Sequence, residues 1–480
     1  MKFNNSLYEN EELTYEDVFL FQNYFQGKSR LEIDVTPIVP FGTHIPIVSA
    51  NMNAISGRRM AETLARYGWL AVLPQDMDNE TLKKIISSLK SADIQYDSPI
   101  TVKASNTIRD ALGIITKRAH NCVILIDDQG KAISLFKPQD LGKLDQFTLL
   151  GNIVQSNLIT WKIWISDEEA FNLMDEKWIS SLPIVDDQGI LKWILTKKNT
   201  IRNSIYQPTL DANGKLDVAV AIWVHSFDEK VPFLYDMGIR TFVLDTAHGY
   251  QQSMIDTIKK FRQQFGTEAM VIAGNVITAE ATRALIEAWA NGVKVGIGPW
   301  AMCTTRMKTW VGRPQFTAVY KCAQEAKKLG WFVWADGGIK SPRDMILALA
   351  AGANHVMIGT LFAATLESVG DIKYDEQGLM YKENYGMASR KAVGQRNAKL
   401  SKFEQMKKQM FREGISTSKI YIKSGMESVW DIVDEFITGL RSSMTYVGAL
   451  NLQEFTDKAV VGVQTISGFT EGTPHGKVKR

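Results

Sequence analysis

The chain has 480 residues, 45% hydrophobic and 22% charged, an ordinary globular composition with room for roughly three domains, which excludes a disordered, collagenous or disulfide-scaffold protein. Its 55 basic and 52 acidic residues leave a net charge of +3, so bulk charge points to no nucleic acid and no acidic membrane surface. Three cysteines, a start MKFNNSLYENEEL without an apolar core, and no apolar run near the roughly 18 residues of a membrane span predict a cytoplasmic protein. The six histidines are scattered without metal-ligand spacing, and tryptophan is over-represented at twelve copies.

Eight short β-branched runs recur along the chain, each ending in a polar or glycine residue and followed by a helix-period segment. In order they are IPIVSAN (45–51), LAVLPQD (70–76), DVAVAI (217–222), TFVLDTAHG (241–249), MVIAGN (270–275), VKVGIGP (293–299), FVWADGG (332–338) and HVMIGT (355–360). Near-continuous apolar runs alternating with amphipathic segments describe a parallel sheet covered by helices, and eight such units predict an α/β protein with a (β/α)8 TIM barrel. About 140 residues separate the second run from the third and hold an internal repeat, 98–141 and 157–200, each copy ordered strand, helix, strand, Asp-Asp-Gln-Gly turn, strand. The predicted organisation is barrel (1–95), inserted paired domain (96–205), and barrel resumed with a cysteine loop and C-terminal flap (206–480). The repeat resembles the tandem cystathionine-β-synthase (CBS) module, which implies an adenine nucleotide between the copies. Asp140 matches that module's ribose-contacting carboxylate, whereas the second copy has Asn199. A structural dimerisation insert is the competing reading.

In such a barrel the reactive groups sit after the strands. The loop after the sixth run, 296–315, carries Cys303 two residues before Thr305, an arrangement suited to a nucleophile that forms a covalent adduct. A small buried apolar role is the alternative for Cys303, and the preferred one for Cys122 and Cys322. Asp336-Gly337-Gly338 and Gly359-Thr360 place backbone N–H groups at helix starts, where a phosphate would bind; tight turns alone also call for such glycines. Asp336 could accept from a ribose diol or cap a helix.

GPWAMCTTR (298–306), ADGGIKSPRD (335–344), VMIGT (356–360), DTAHG (245–249), GNV (274–276) and YGMAS (385–389) together resemble the IMP dehydrogenase/GMP reductase family, and most closely its CBS-containing bacterial reductases. The resemblance implies that Cys303 attacks C2 of a purine nucleoside monophosphate and that Thr305 and Glu413 handle the proton of a departing ammonia. It implies a nucleotide pocket of Ser49 and Met52, a ribose contact at Asp336, phosphate contacts at Gly338, Gly359 and Thr360, and a base contact at Met387. Asp245 and Gly249 fall on the dinucleotide side, and carbonyls near Gly296, Gly298 and Cys303 match a K+ site of the dehydrogenases. A homo-oligomer, tetramer or octamer, is also implied. Residues 391–412 contain no Arg-Tyr pair of the dehydrogenase kind and NYGM (384–387) has the reductase form, which favours an NADPH-dependent reduction of GMP to IMP. DTAHG has the dehydrogenase form, Met410 replaces a reductase arginine with Arg412 nearby, and Ala301 replaces a serine directed to phosphate. The alternatives are an NAD-dependent IMP dehydrogenase forming XMP and a catalytically silent nucleotide-binding protein.

Trp69, Trp193, Trp223, Trp289, Trp300 and Trp310 stand where the family motifs have glycine, whereas Trp161, Trp164, Trp178, Trp334 and Trp430 stand where an aromatic residue is unremarkable. Six such replacements, each destabilising by overpacking or strain, would exceed the ~5–15 kcal/mol stability of a typical domain. The reading that reconciles them is a gene in which UGA encodes glycine.

Overall fold

The computed structural model describes residues 1–39, 42–154, 157–301, 303–384, 401–410 and 418–472. All eight runs form strands of one closed barrel: Ile47–Ser49, Leu70–Leu73, Ala219–Ile222, Thr241–Asp245, Met270–Val276, Gly292–Val295, Phe332–Asp336 and His355–Ile358. Neighbours run parallel in chain order, and the ring closes where Val356 pairs with Ile47. Nearly every strand residue is buried, because each strand packs inward on the barrel interior and outward on helices; that is why the runs read as unbroken apolar stretches. Helices such as Asn79–Lys90, capped by Asp78, and Ala279–Glu287, capped by Thr278, return the chain to the next strand. The helix following the eighth strand's long excursion is Val429–Val447, whose start is a capping box of Ser428 and Asp431.

Between the second and third strands the chain forms two units of like topology. Thr101–Val102 pairs parallel with Val123–Ile126, which pairs antiparallel with Ala132–Phe136; Trp161–Lys162, Ser181–Val185 and Leu191–Thr196 repeat the arrangement. The shared turn has a physical cause. Asp127 Oδ1 accepts from the backbone of Gln129 and Lys131, Asp186 Oδ1 from Gln188 and Ile190, and Gly130 and Gly189 take φ of 82° and 80°. Cys122, Ile124 and Ile194 pack where the units meet.

The inserted segment is fastened to the barrel by a closed ring of charges. Arg66 contacts Glu62 at 2.7 Å and Asp97 at 3.0 Å, and Arg118 contacts Glu62 at 2.9 Å and Asp97 at 2.7 Å. Glu62 is buried, which alone would raise its pKa; the two guanidinium groups outweigh that and hold it well below the usual carboxylate range.

Helix ends follow one pattern. After Phe227–Asp236, Gly238 takes φ +84° while its N–H reaches Tyr235 O and the Ile239 N–H reaches Leu234 O; Gly330, Gly352 and Gly448 repeat this. At two further helices the same position is held by tryptophan: Trp178 (φ +54°) and Trp289 (φ +78°), with the same pair of bonds. Trp310 (φ +60°) and Trp164 (φ +82°) are also left-handed. Trp164 and Trp178 are therefore not unremarkable aromatic positions, while Trp69, Trp193, Trp223 and Trp300 are not left-handed.

Glu62→Gln leaves two buried guanidinium groups short of a counter-charge and should destabilise the protein by about 3–5 kcal/mol at neutral pH. Because the folded pKa of Glu62 is depressed, its contribution is fully present above the ordinary carboxylate range and fades as pH falls toward the folded value. Thermal unfolding of wild type and E62Q should thus differ most at pH 7 and converge in strong acid; a constant difference would contradict this.

Candidate active site

The strands deliver their carboxyl ends to one rim. From the sixth strand the chain passes Gly296 (φ +149°) and Gly298 (φ +86°) into the cysteine loop. A side chain at Gly296 would collide with the Asp336 carbonyl oxygen, so glycine lets this loop lie against the end of the seventh strand. Half-buried Cys303 has its Sγ 3.1 Å from Thr305 Oγ1 and accepts the Thr305 N–H at 3.3 Å. The Thr305 backbone N–H is thus aimed at the sulfur, the atom that acts as nucleophile in a reactive cysteine. Cys122 and Cys322 are buried, and desolvation pushes both thiols up to about 12.

Beside this loop lies a buried polar chain that spans the barrel mouth. Lys294 Nζ contacts Asp245 Oδ1 at 2.9 Å and Asp336 Oδ2 at 2.5 Å. Asn275 Nδ2 donates to Asp336 Oδ2 at 2.9 Å, and Asn51 Nδ2 donates to Asp245 Oδ2 at 2.7 Å. Burial alone would lower the Lys294 pKa, but Asp245 and Asp336 together raise it above the ordinary value. In the first turn of the helix Pro342–Ala350, Asp344 accepts from the Lys340 N–H at 2.8 Å, and the N-cap is Ser341. Asp336 is therefore not a helix cap; its partners are Lys294 and Asn275.

Gly337 and Gly338 have φ of 96° and 79°, so the turn requires glycine there. Gly359 has φ −108°, and a Cβ on it would meet only Ala50, Ile55 and Met52 at ordinary contact distance, so turn strain does not explain it. This places Met52 beside Gly359, and Thr360 opens the short helix Thr360–Ala363. Ser49 has no exposed surface, and its hydroxyl pairs with Ser56 Oγ at 2.6 Å. Gly249 is buried against the backbone of Gly274 and Asn275 and gives its N–H to Asn275 O, a close approach that only glycine permits. The indole of Trp300 lies over Gly337, where an added Cβ would be 2.8 Å from it. Met387 and Glu413, with residues 385–400 and 411–417, lie outside the described residues. The strands that bound the intervening segment, Met380–Asn384 and Ser418–Tyr421, pair so that Asn384 faces Ser418.

Of the carbonyls matched to a K+ site, that of Gly296 accepts the Asn275 side-chain amide at 2.6 Å. Among the described residues no group of three or more His, Cys, Asp or Glu side chains could hold a metal ion, and no helix is long and apolar enough to cross a membrane. Sequence reasoning missed Lys294, Asn51 and Asn275. Their signal is present: a lysine inside the apolar run VKVGIG, and asparagines at the ends of the first and fifth runs.

Residues 12–475 match the family model described as IMP dehydrogenase / GMP reductase domain. The chain is 42% identical over 464 residues to the GMP reductase of Mycobacterium tuberculosis (strain ATCC 25618 / H37Rv), covering 96% of each chain. It is 35% identical over 482 residues to the inosine-5'-monophosphate dehydrogenase of Aquifex aeolicus, covering 97% of this chain and 95% of that one. A crystal structure of a GMP reductase from Trypanosoma brucei in complex with guanosine 5'-monophosphate superposes with a TM-score of 0.69 at 28% identity, covering 99% of this chain and 100% of that one.

A thiol-alkylating reagent at neutral pH should label the folded protein at Cys303 alone, and Cys303→Ala should remove the labelling. Equal labelling of Cys122 or Cys322, read by peptide mass spectrometry, would contradict the assignment of Cys303 as the reactive thiol.

Proposed function

The chain belongs to the IMP dehydrogenase/GMP reductase family, and on that premise we propose that it is a GMP reductase, converting GMP, NADPH and protons to IMP, NADP+ and ammonia in purine salvage. The observation that carries the reading is the Cys303–Thr305 pair at the end of the sixth strand, in a chain sharing 42% identity with a GMP reductase. The thiolate of Cys303 adds to C2 of the purine, and the C2 amino group leaves as ammonia with a proton delivered through Thr305 and Glu413. NADPH supplies the hydride that C2 receives, and the carbon–sulfur bond breaks to return the thiolate.

The residues orient this chemistry. Asp336 takes the ribose hydroxyls, and the backbone N–H groups at Gly338, Gly359 and Thr360 take the phosphate, without help from a side chain at Ala301. Ser49 and Met52 shape the nucleotide pocket, Met387 bears on the base, and Asp245 with Gly249 marks the dinucleotide side. Residues 96–205 form a regulatory CBS module in this reading. Its adenine-nucleotide site is the cleft of about 220 Å³ lined by Asp140, Lys137, Asn157 and Ser180, which lies between the two units. The enzyme works in the cytoplasm as a homotetramer or octamer.

Purified protein given GMP and NADPH should consume NADPH with equimolar ammonia release, and Cys303→Ala should abolish it. Production of XMP from IMP and NAD at a higher rate would replace the reductase with a dehydrogenase. Absence of both turnovers in a protein that binds nucleotide would make it a silent binding protein.

A further inference from the structure

Lys294 lies in the sixth strand with its side chain 3% exposed, yet carries an ammonium to the barrel mouth. It meets one carboxylate from the fourth strand, Asp245, and one from the seventh, Asp336. Without the ammonium between them the two carboxylates would lose the one partner that fixes their orientation toward each other, and like charges would push them apart.

We propose that Lys294 is a positioning residue that aims Asp336 and Asp245 through one shared ammonium, so that one buried cation sets the affinity for both the nucleoside monophosphate and the dinucleotide. This rests on the reading above, in which Asp336 holds the ribose and Asp245 faces the dinucleotide. The two sites share no direct contact through their carboxylates, but they share this ammonium.

Lys294→Met removes the charge and keeps the length of the chain. It should raise KM for GMP and for NADPH together, each about tenfold or more. A fall in kcat with both KM values unchanged would mean a merely structural ion pair and overturn the proposal. If K294M does not fold, Lys294→Arg carries the test: it keeps the charge with altered reach and must shift both KM values in the same direction, while a shift in one alone overturns it. Equilibrium binding of GMP separates the two levels of argument. Wild type that binds no GMP defeats the functional reading, whereas equal GMP binding by wild type and K294M defeats only the role of Lys294.

Four tryptophans occupy backbone that a branched or bulky side chain avoids. Among the described residues six non-glycine positions have positive φ; two are Asn121 and Asn157, and the other four are Trp164, Trp178, Trp289 and Trp310. Asparagine tolerates this region, and tryptophan has no local hydrogen bond that would favour it there. The four are exposed at 90%, 95%, 64% and 92%, so no burial offsets the strain. Trp178 and Trp289 reproduce the hydrogen bonds of helix ends held by Gly238 and Gly330. By contrast Trp334 and Trp430 are buried in the core on ordinary backbone.

We infer that residues 164, 178, 289 and 310 are glycine in the native protein, its gene using UGA for glycine. The cysteine loop then runs through glycine at 310 as it does at Gly312, and any UGA at Trp300 would uncover Gly337. The codons at these four positions should be UGA and those of Trp334 and Trp430 UGG; peptides of the protein purified from its own cells should carry glycine at all four. A recombinant protein with glycine at the four positions should unfold at a temperature several degrees above the all-tryptophan protein. A UGG codon at any of the four, or a tryptophan mass in the native peptide, overturns the inference.

Discussion

One buried ammonium holds the mouth of the barrel together. Lys294 stands between Asp245 and Asp336 in a rim otherwise built from apolar strands, and both carboxylates are fixed by it. Asn51 on the first strand's end is oriented by Asp245, and Asn275 on the fifth by Asp336. Asn275 in turn reaches the carbonyl of Gly296, where the cysteine loop begins. The hydrogen bonds therefore run continuously from the carboxylate assigned to ribose to the root of the loop that carries the nucleophile. Removing the cation would leave two desolvated carboxylates facing each other, which is far less favourable than losing an exposed pair.

The second constraint is backbone proximity. The cysteine loop reaches the seventh strand only because Gly296 has no side chain to strike Asp336, and the loop after the fourth strand reaches the fifth only because Gly249 has none to strike Gly274. These glycines bring loops of different strands within hydrogen-bond reach, whereas the Cys303–Thr305 contact is made within the cysteine loop itself.

Much of this was legible in the sequence. The eight strands could be read because each is buried on both faces and so is apolar throughout, and the repeat because its turns need both an acceptor aspartate and a left-handed glycine. Asp336 and Cys303 stood out as polar residues at strand ends. The network around Lys294 was not legible, because its members at 51, 245, 275, 294 and 336 come together only when the barrel closes. Gly338 and Gly359 look alike in sequence, yet only the first takes a left-handed φ. Trp164 and Trp178 looked ordinary because nothing local marks a residue as left-handed until the helix or turn around it is built.

The proposed reaction turns on a covalent bond between Cys303 and C2 of the purine. Acid-quenching the protein during turnover of GMP with NADPH and mapping its peptides by mass spectrometry tests that bond most directly. The account expects a nucleotide adduct on the peptide that contains Cys303 and on no other. Turnover in which Cys303 stays unmodified, or in which the nucleotide is found on a different residue, would contradict it.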